Sequence, residues 1–298
     1  MHKNLIDLHT HGIGKYDTKT ENPDDILKMA MLYAKAGTAA FLPTIYSGTI
    51  RQMRANMEAV KAAIIMRNAE NRTWTKHRSG HDASLILGVH LEGPFLNPAR
   101  CGAQEKKSLT KPTIADLKRL IEDYEEIIKI MTIAPEMPGA LKVIEMAVSL
   151  GIKVNMGHSD ATYGQALSGK KAGATGISHI FNAMRPFHHR EPGIAGFGLL
   201  EEDVFVEVVA DGIHLDPKTL SLIFKIKRAD RVILVSDSIK GAGVKKGPIK
   251  TSSGSIAGSA VTLSGALKNI KDAGGDALKF ASENPLNYLN LRLDSRMI

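Results

Sequence analysis

Cysteine is almost absent: Cys101 is the only one in 298 residues. No intrachain disulfide can form, and a reducing compartment, the cytoplasm, is the expected home. No apolar stretch reaches the length of a membrane span. The opening MHKNLIDLHTHG holds too short an apolar segment for a secretory leader, with no small-residue cleavage site behind it, so none is expected. Aromatic residues are only 5%. The net charge of +8 is therefore not laid out as a basic stripe interleaved with aromatics. Lys and Arg are scattered, with short clusters such as EKKS and KIKRADR. The charge reads as a mild field favouring small anions, and nucleic acid is the disfavoured partner. Nucleotide-phosphate signatures are also missing: no GxGxxG follows the first strand and no GxxxxGK[ST] occurs.

The composition, 43% apolar and 23% charged, supports one large globular domain over residues 1–298. Short apolar runs predict strands at Leu5–Leu8, Ala39–Pro43, Leu85–His90, Ile127–Thr132, Ile152–Met156, Gly176–His179, Phe205–Val209 and Val232–Val235. Between them, amphipathic spacing predicts helices at Asp24–Ala36, Arg51–Asn68, Ile114–Glu122, Ala140–Leu150, Tyr163–Lys171 and Pro217–Lys227. Two more follow, at Ser264–Asp272 and Asp276–Ser282. Gly37 and Gly151 stand where a helix-ending glycine belongs. The polar stretch 68–84 reads as an exposed helix end and loop. Strands such as RVILVS and LILGVH are apolar without alternation, as parallel strands covered on both faces are. Eight of them with intervening helices predict a (β/α)8 TIM barrel, with a doubly wound open sheet as the rival.

In such a barrel the reactive groups gather at the C-terminal ends of the strands. Those ends carry His9 and His11, then His90 and Glu92, His158, His179, Asp211 with His214, and Asp237. Each alone has an ordinary structural explanation, but their coincidence at one barrel mouth does not. Residues i and i+2 of a strand share a face, so His9 and His11 are expected to point the same way, toward one ion. Asp7, ahead of them, is read as facing the other way and structural, and His90 as a core or supporting residue. A mixed imidazole and carboxylate set suits Zn²⁺ or a similar divalent ion, with Fe²⁺, Mn²⁺ and Co²⁺ as alternatives. Beside such an ion Asp237 can take a proton from water and return it to a leaving amine, and His214 can donate to a developing oxyanion.

The segments IDLHTHG, HLEGPFLNPARCGA, TIAPE, GHSDATY, SHIFNAMRPFHHREPG, VVADGIHLDP, LVSDS, GSIAGSAVTLSGALKN and NPLNYLNL closely resemble the N-acetylglucosamine-6-phosphate deacetylases of the amidohydrolase superfamily. The resemblance covers nearly the whole chain. It implies Glu92, His158 and His179 as ligands of a main metal, with His9 and His11 as the pair that holds a second. It implies Asp237 as general base and acid, and His214 as the group polarising the acetamide carbonyl. Asn182, Ala183 and Arg190 match positions that bind the sugar phosphate, the arginine reaching in from a partner subunit, which implies a homodimer. Gln104 stands where the family often has a histidine near the substrate. His188 and His189 read as surface residues. The family's small flanking β-sandwich has no counterpart in a chain beginning at IDLHTHG and ending at LRLDSRMI, so a barrel without it is expected. A metal-dependent nuclease of the same superfamily and a non-catalytic binding barrel are the competing functions.

Overall fold

The computed structural model describes residues 4–73, 83–245, 247–251, 254 and 256–292. Eight parallel strands stand side by side in chain order: β1 Leu5–Thr10, β2 Thr38–Ile45, β3 Val89–Glu92, β4 Ile128–Ile133, β5 Lys153–Met156, β6 Gly176–Ile177, β7 Phe205–Val209 and β8 Val232–Val235. A two-residue strand, Leu85–Ile86, pairs with the lower part of β2. The ring closes just past β8, where Asp237 N donates to His9 O at 2.9 Å and His11 N donates to Ser238 O at 2.7 Å. The order is that of a barrel, and the open-sheet rival is excluded. No helix among the described residues is long and apolar enough to cross a membrane.

Helices α1 Pro23–Lys35, α2 Ile50–Thr73, α3 Ile114–Ile121, α4 Ala140–Ser149 and α5 Tyr163–Lys171 fall where the sequence puts them. Local chemistry explains their starts. Asn22 caps α1 by accepting from Asp24 N, with Pro23 at the first helical position. Thr162 and Gln165 form a reciprocal capping box on α5. In the expected helix end and loop at 68–84, the helix runs as far as Thr73, and 74–82 lie outside the described residues.

One helix escapes the sequence reading: α6, Gly193–Leu200, with the sequence GIAGFGLL. Its interior glycines, Gly196 and Gly198, cost about 1 kcal/mol each relative to alanine. Burying Ile194, Phe197 and Leu199 contributes roughly 1.5–3 kcal/mol apiece and outweighs that cost. The glycines also let the helix approach the barrel: a Cβ on Gly198 would sit 3.0 Å from Ile177 Cγ1. Helices α7 Pro217–Ile226, α8 Leu263–Asp272 and α9 Asn284–Leu289 complete the set; a π-helical turn at Lys279–Glu283 leads directly into α9, so the helix expected at Asp276–Ser282 runs on to Leu289.

Two apolar layers result. The outer one lies between sheet and helices. The inner one, with Ile6, Leu8, Ala40, Leu42, Ile130, Val209, Ile233 and Val235, fills the barrel, and Tyr288 of α9 packs into it. Above these apolar residues the barrel interior turns polar, with His9, His90, Thr132, Asn155, Ser178 and Glu207 all buried.

Candidate active site

A register shift in β1 sets the phase of the opening pair. Asp7 pairs with Phe41 and Thr10 with Pro43, so β1 spends three steps where β2 spends two. Strict alternation from Ile6 and Leu8 would turn His9 away from the barrel axis; the extra residue brings it in beside Leu8. Asp7 stays out of the cluster, its Oδ1 accepting from Ser236 N at 3.2 Å and His9 N at 3.3 Å.

Glu92, at the end of β3, is the hub. Its Oε1 lies 3.3 Å from His9 Nε2, 3.0 Å from His158 Nε2 and 3.1 Å from His179 Nε2. Its Oε2 lies 3.5 Å from His11 Nε2 and accepts from Gln104 Nε2. Burial raises the Glu92 pKa, but the charge and hydrogen bond of His158, with the bond from His179 and the nearness of His9, hold it well below the carboxylate range. The ring orientations are fixed from behind. His11 Nδ1 meets Thr44 O at 2.9 Å, His158 Nδ1 meets Arg100 O at 3.0 Å, and His9 Nδ1 meets Glu207 Oε2 at 2.9 Å.

Asp237 completes the ring, its Oδ1 3.5 Å from His11 Nε2 and 3.9 Å from His9 Nε2. Its carboxylate is held below its ordinary pKa despite burial, through the hydrogen bond from His11 and the charges of His9, His11 and His179. Across from it, 3.9 Å from Asp237 Oδ2, is His214 Nε2. Asp211 anchors His214 with both oxygens: Oδ1 accepts from the backbone N–H groups of Ile213 and His214, and Oδ2 meets His214 Nδ1 at 2.8 Å. Burial pushes the His214 ring toward neutrality, but the Asp211 bond and the charges of Asp237 and Asp211 prevail and raise its pKa. The raised pKa favours the doubly protonated ring, the form that carries an N–H on Nε2 as well as the one held by Asp211.

His158, His179 and Asp237 have positive φ, at 46°, 26° and 47°. Non-glycine residues in this region cost roughly 1–3 kcal/mol each and persist where the surroundings over-determine them. Here each belongs to a strand-end turn that aims a side chain at the same point.

These groups line a cavity of about 610 Å³ at the C-terminal mouth of the barrel, together with Gln104, Asn182 and Ala183. Asn182 is also tied to its own turn through His179 O. Arg190 does not line this cavity; it is exposed and bonds within its loop to His188 and His189, both exposed. His90 is buried with Nδ1 on Leu8 O and Nε2 on Thr132 Oγ1, and burial takes its pKa down to about 3. These two bonds engage both ring nitrogens of His90.

The site fits a divalent cation on its own chemistry. His9 Nε2 is buried without a hydrogen-bond partner, an expensive state for an atom that no donor or ion satisfies. The ligand atoms of His9, Glu92 and His179 lie within 4.8 Å of one another, as do those of His9, His11 and Asp237 and those of His9, His90 and Glu207. His9 thus joins all three groups, whereas the resemblance implies it for a second position only.

Sequence reasoning missed Glu207 and Tyr46. Glu207 breaks the apolar run FVEVV on the face that Phe205 and Val209 share, and a carboxylate inside a barrel is a signal in itself. Tyr46 stacks on the His11 ring at 3.9 Å and lines the cavity, with Lys19 Nζ 4.4 Å from its ring centre. Nothing in its sequence context marks it.

No protein-family model matches the chain. Among curated proteins it is 30% identical over 304 residues to the N-acetylgalactosamine-6-phosphate deacetylase of Escherichia coli O157:H7, covering 96% of this chain and 77% of that one. It is 33% identical over 280 residues to the N-acetylglucosamine-6-phosphate deacetylase of Vibrio furnissii, covering 89% and 67%. Among solved structures, the N-acetylglucosamine-6-phosphate deacetylase of Thermotoga maritima superposes with a TM-score of 0.85 at 30% identity, over 99% of this chain and 80% of that one.

Proposed function

The chain belongs to the N-acetylglucosamine-6-phosphate deacetylase family, and from that premise we propose that it hydrolyses the acetamide of an N-acetylhexosamine 6-phosphate, releasing acetate and the amino-sugar phosphate. The observation that carries this reading is the convergence of Glu92 and four imidazoles beside the Asp237–His214 pair at one barrel mouth. Glu92, His158 and His179 would hold a divalent ion, with His9 and His11 as a second position, and that ion would supply Lewis acidity and an activated water. Zn²⁺ suits this donor set best, and Fe²⁺, Mn²⁺ and Co²⁺ are the alternatives.

The chain's own residues do the rest. Asp237, ionised, accepts a proton from the water whose oxygen bonds to the acetamide carbon. His214, fixed by Asp211, donates from Nε2 to the carbonyl oxygen as charge builds there. When the C–N bond breaks, Asp237 returns its proton to the amine nitrogen. Asn182 and Ala183 hold the sugar phosphate, and Gln104, bonded to Glu92, faces the sugar. A cytoplasmic site of action fits the single cysteine and the sugar-phosphate substrate.

Zn²⁺-loaded protein is expected to release acetate from N-acetylglucosamine 6-phosphate or its galactose epimer, measured by coupled acetate detection. No acetate from either, at saturating metal, overturns the reading; cleavage of single-stranded DNA in its place makes the chain a nuclease.

Arg190 is assigned to the phosphate across a homodimer interface, consistent with its exposure and its place outside its own cavity. A charged hydrogen bond to phosphate contributes about 1.5–3 kcal/mol, so Arg190→Ala is expected to raise KM roughly 10- to 100-fold with little change in kcat. Sedimentation of a fully active monomer rules out this sharing.

A further inference from the structure

Glu207 is nearly inaccessible, with 2% of its surface exposed, in the part of the barrel where the apolar filling gives way to polar groups. An unpaired carboxylate there costs several kcal/mol, so its partners must account for it. Oε2 meets His9 Nδ1 at 2.9 Å and accepts from His179 N at 3.3 Å. Oε1 accepts from Asn155 Nδ2 at 2.7 Å, and Asn155 Oδ1 in turn accepts from Tyr288 Oη. A polar ladder thus runs from His9 down the barrel to α9.

The imidazoles around Glu92 are not supported alike. His11 and His158 turn their Nδ1 atoms to neutral carbonyls, and His179 Nδ1 has no partner. Only His9 has a carboxylate behind it. A carboxylate accepts and cannot donate, so it fixes a proton on Nδ1 and makes Nε2, which faces Glu92 and Asp237, the ring atom left to bind a cation. It also makes that nitrogen a stronger donor to a cation than a carbonyl-backed ring would be.

We propose that Glu207 is a positioning residue of the metal centre, holding His9 in one tautomer and strengthening it as a ligand. This rests on the metal-dependent reading given above. The competing explanation is that Glu207 only links β7, Asn155 and Tyr288, as a structural rung.

Competition for Zn²⁺ between the metal-stripped full chain and a chromophoric chelator separates the two. Glu207→Gln, isosteric and uncharged, is expected to weaken Zn²⁺ affinity by about 10- to 100-fold. Tyr288→Phe cuts the ladder at its other end and is expected to leave affinity within about threefold of wild type, a change under roughly 0.7 kcal/mol. If Glu207→Gln fails to fold, Glu207→Asp, which keeps the charge but withdraws it by a methylene, is expected to show the same direction of loss. Wild-type Zn²⁺ affinity in the Glu207 variant, or an equal loss in Tyr288→Phe, overturns the proposal and leaves the metal-dependent reading standing. A wild-type chain that takes up no Zn²⁺ overturns both.

Discussion

Asp237→Asn is expected to reduce kcat for acetate release by at least about 10³-fold while KM stays within about threefold. The side chain is half-buried at the cavity wall, 3.9 Å from the His214 nitrogen that faces it, and this variant keeps its shape while removing its negative charge and its capacity to hold a proton. Asparagine has the same shape, and it tolerates the left-handed backbone that Asp237 adopts at φ 47°. The backbone bonds that close the barrel there, Asp237 N to His9 O at 2.9 Å and Ser259 N to Asp237 O at 2.8 Å, do not involve the side chain. Folding and substrate binding are therefore expected to survive, and the loss to fall on the chemical step. Steady-state kinetics with metal content measured in parallel provide the check. A metal-replete variant with kcat within tenfold of wild type, a deficit of only about 1.4 kcal/mol, removes Asp237 as the proton carrier.

Most of the barrel was legible because parallel strands covered on both faces read as unbroken apolar runs, and because their C-terminal ends carried the histidines and acids. Helix α6 was not legible, since its glycines argue against a helix and only the contact of Gly198 with β6 explains them. The pairing of His9 with His11 followed from strand periodicity, but the direction in which the pair faces did not. That direction depends on the register shift between Asp7 and Thr10, a property of β1 against β2 that no local pattern encodes. Glu207 escaped for a related reason. A lone acid in FVEVV stands out in the sequence, but only closure of the barrel places it beneath His9. The strand-end side chains were readable as a set, and so was Asp211 as the residue that orients His214 three positions on, whereas the Thr44 and Arg100 carbonyls behind His11 and His158 depend on tertiary geometry.

Glu92→Gln is expected to abolish the stabilisation that divalent metal gives the protein, together with its activity. Glu92 lies within 3.5 Å of all four imidazole Nε2 atoms and brings the negative charge they share. An amide keeps the shape but offers a neutral oxygen on one side and a donor group on the other, facing rings that already carry donors. A ligand that binds only the folded state at 100 times its dissociation constant stabilises by about 2.7 kcal/mol. In a chain of this size that shifts the melting temperature by roughly 5 °C. Wild type is expected to show such a shift on addition of Zn²⁺, and Glu92→Gln less than about 1 °C, because losing a central carboxylate ligand takes the site out of the binding range. A cooperative melt of the metal-free variant establishes that it folds. Retention of the full shift would mean that the ion rests on a set of mutually close ligand atoms without Glu92, such as His9, His11 and Asp237, and Glu92 would then be only the hydrogen-bond acceptor that keeps the rings in place.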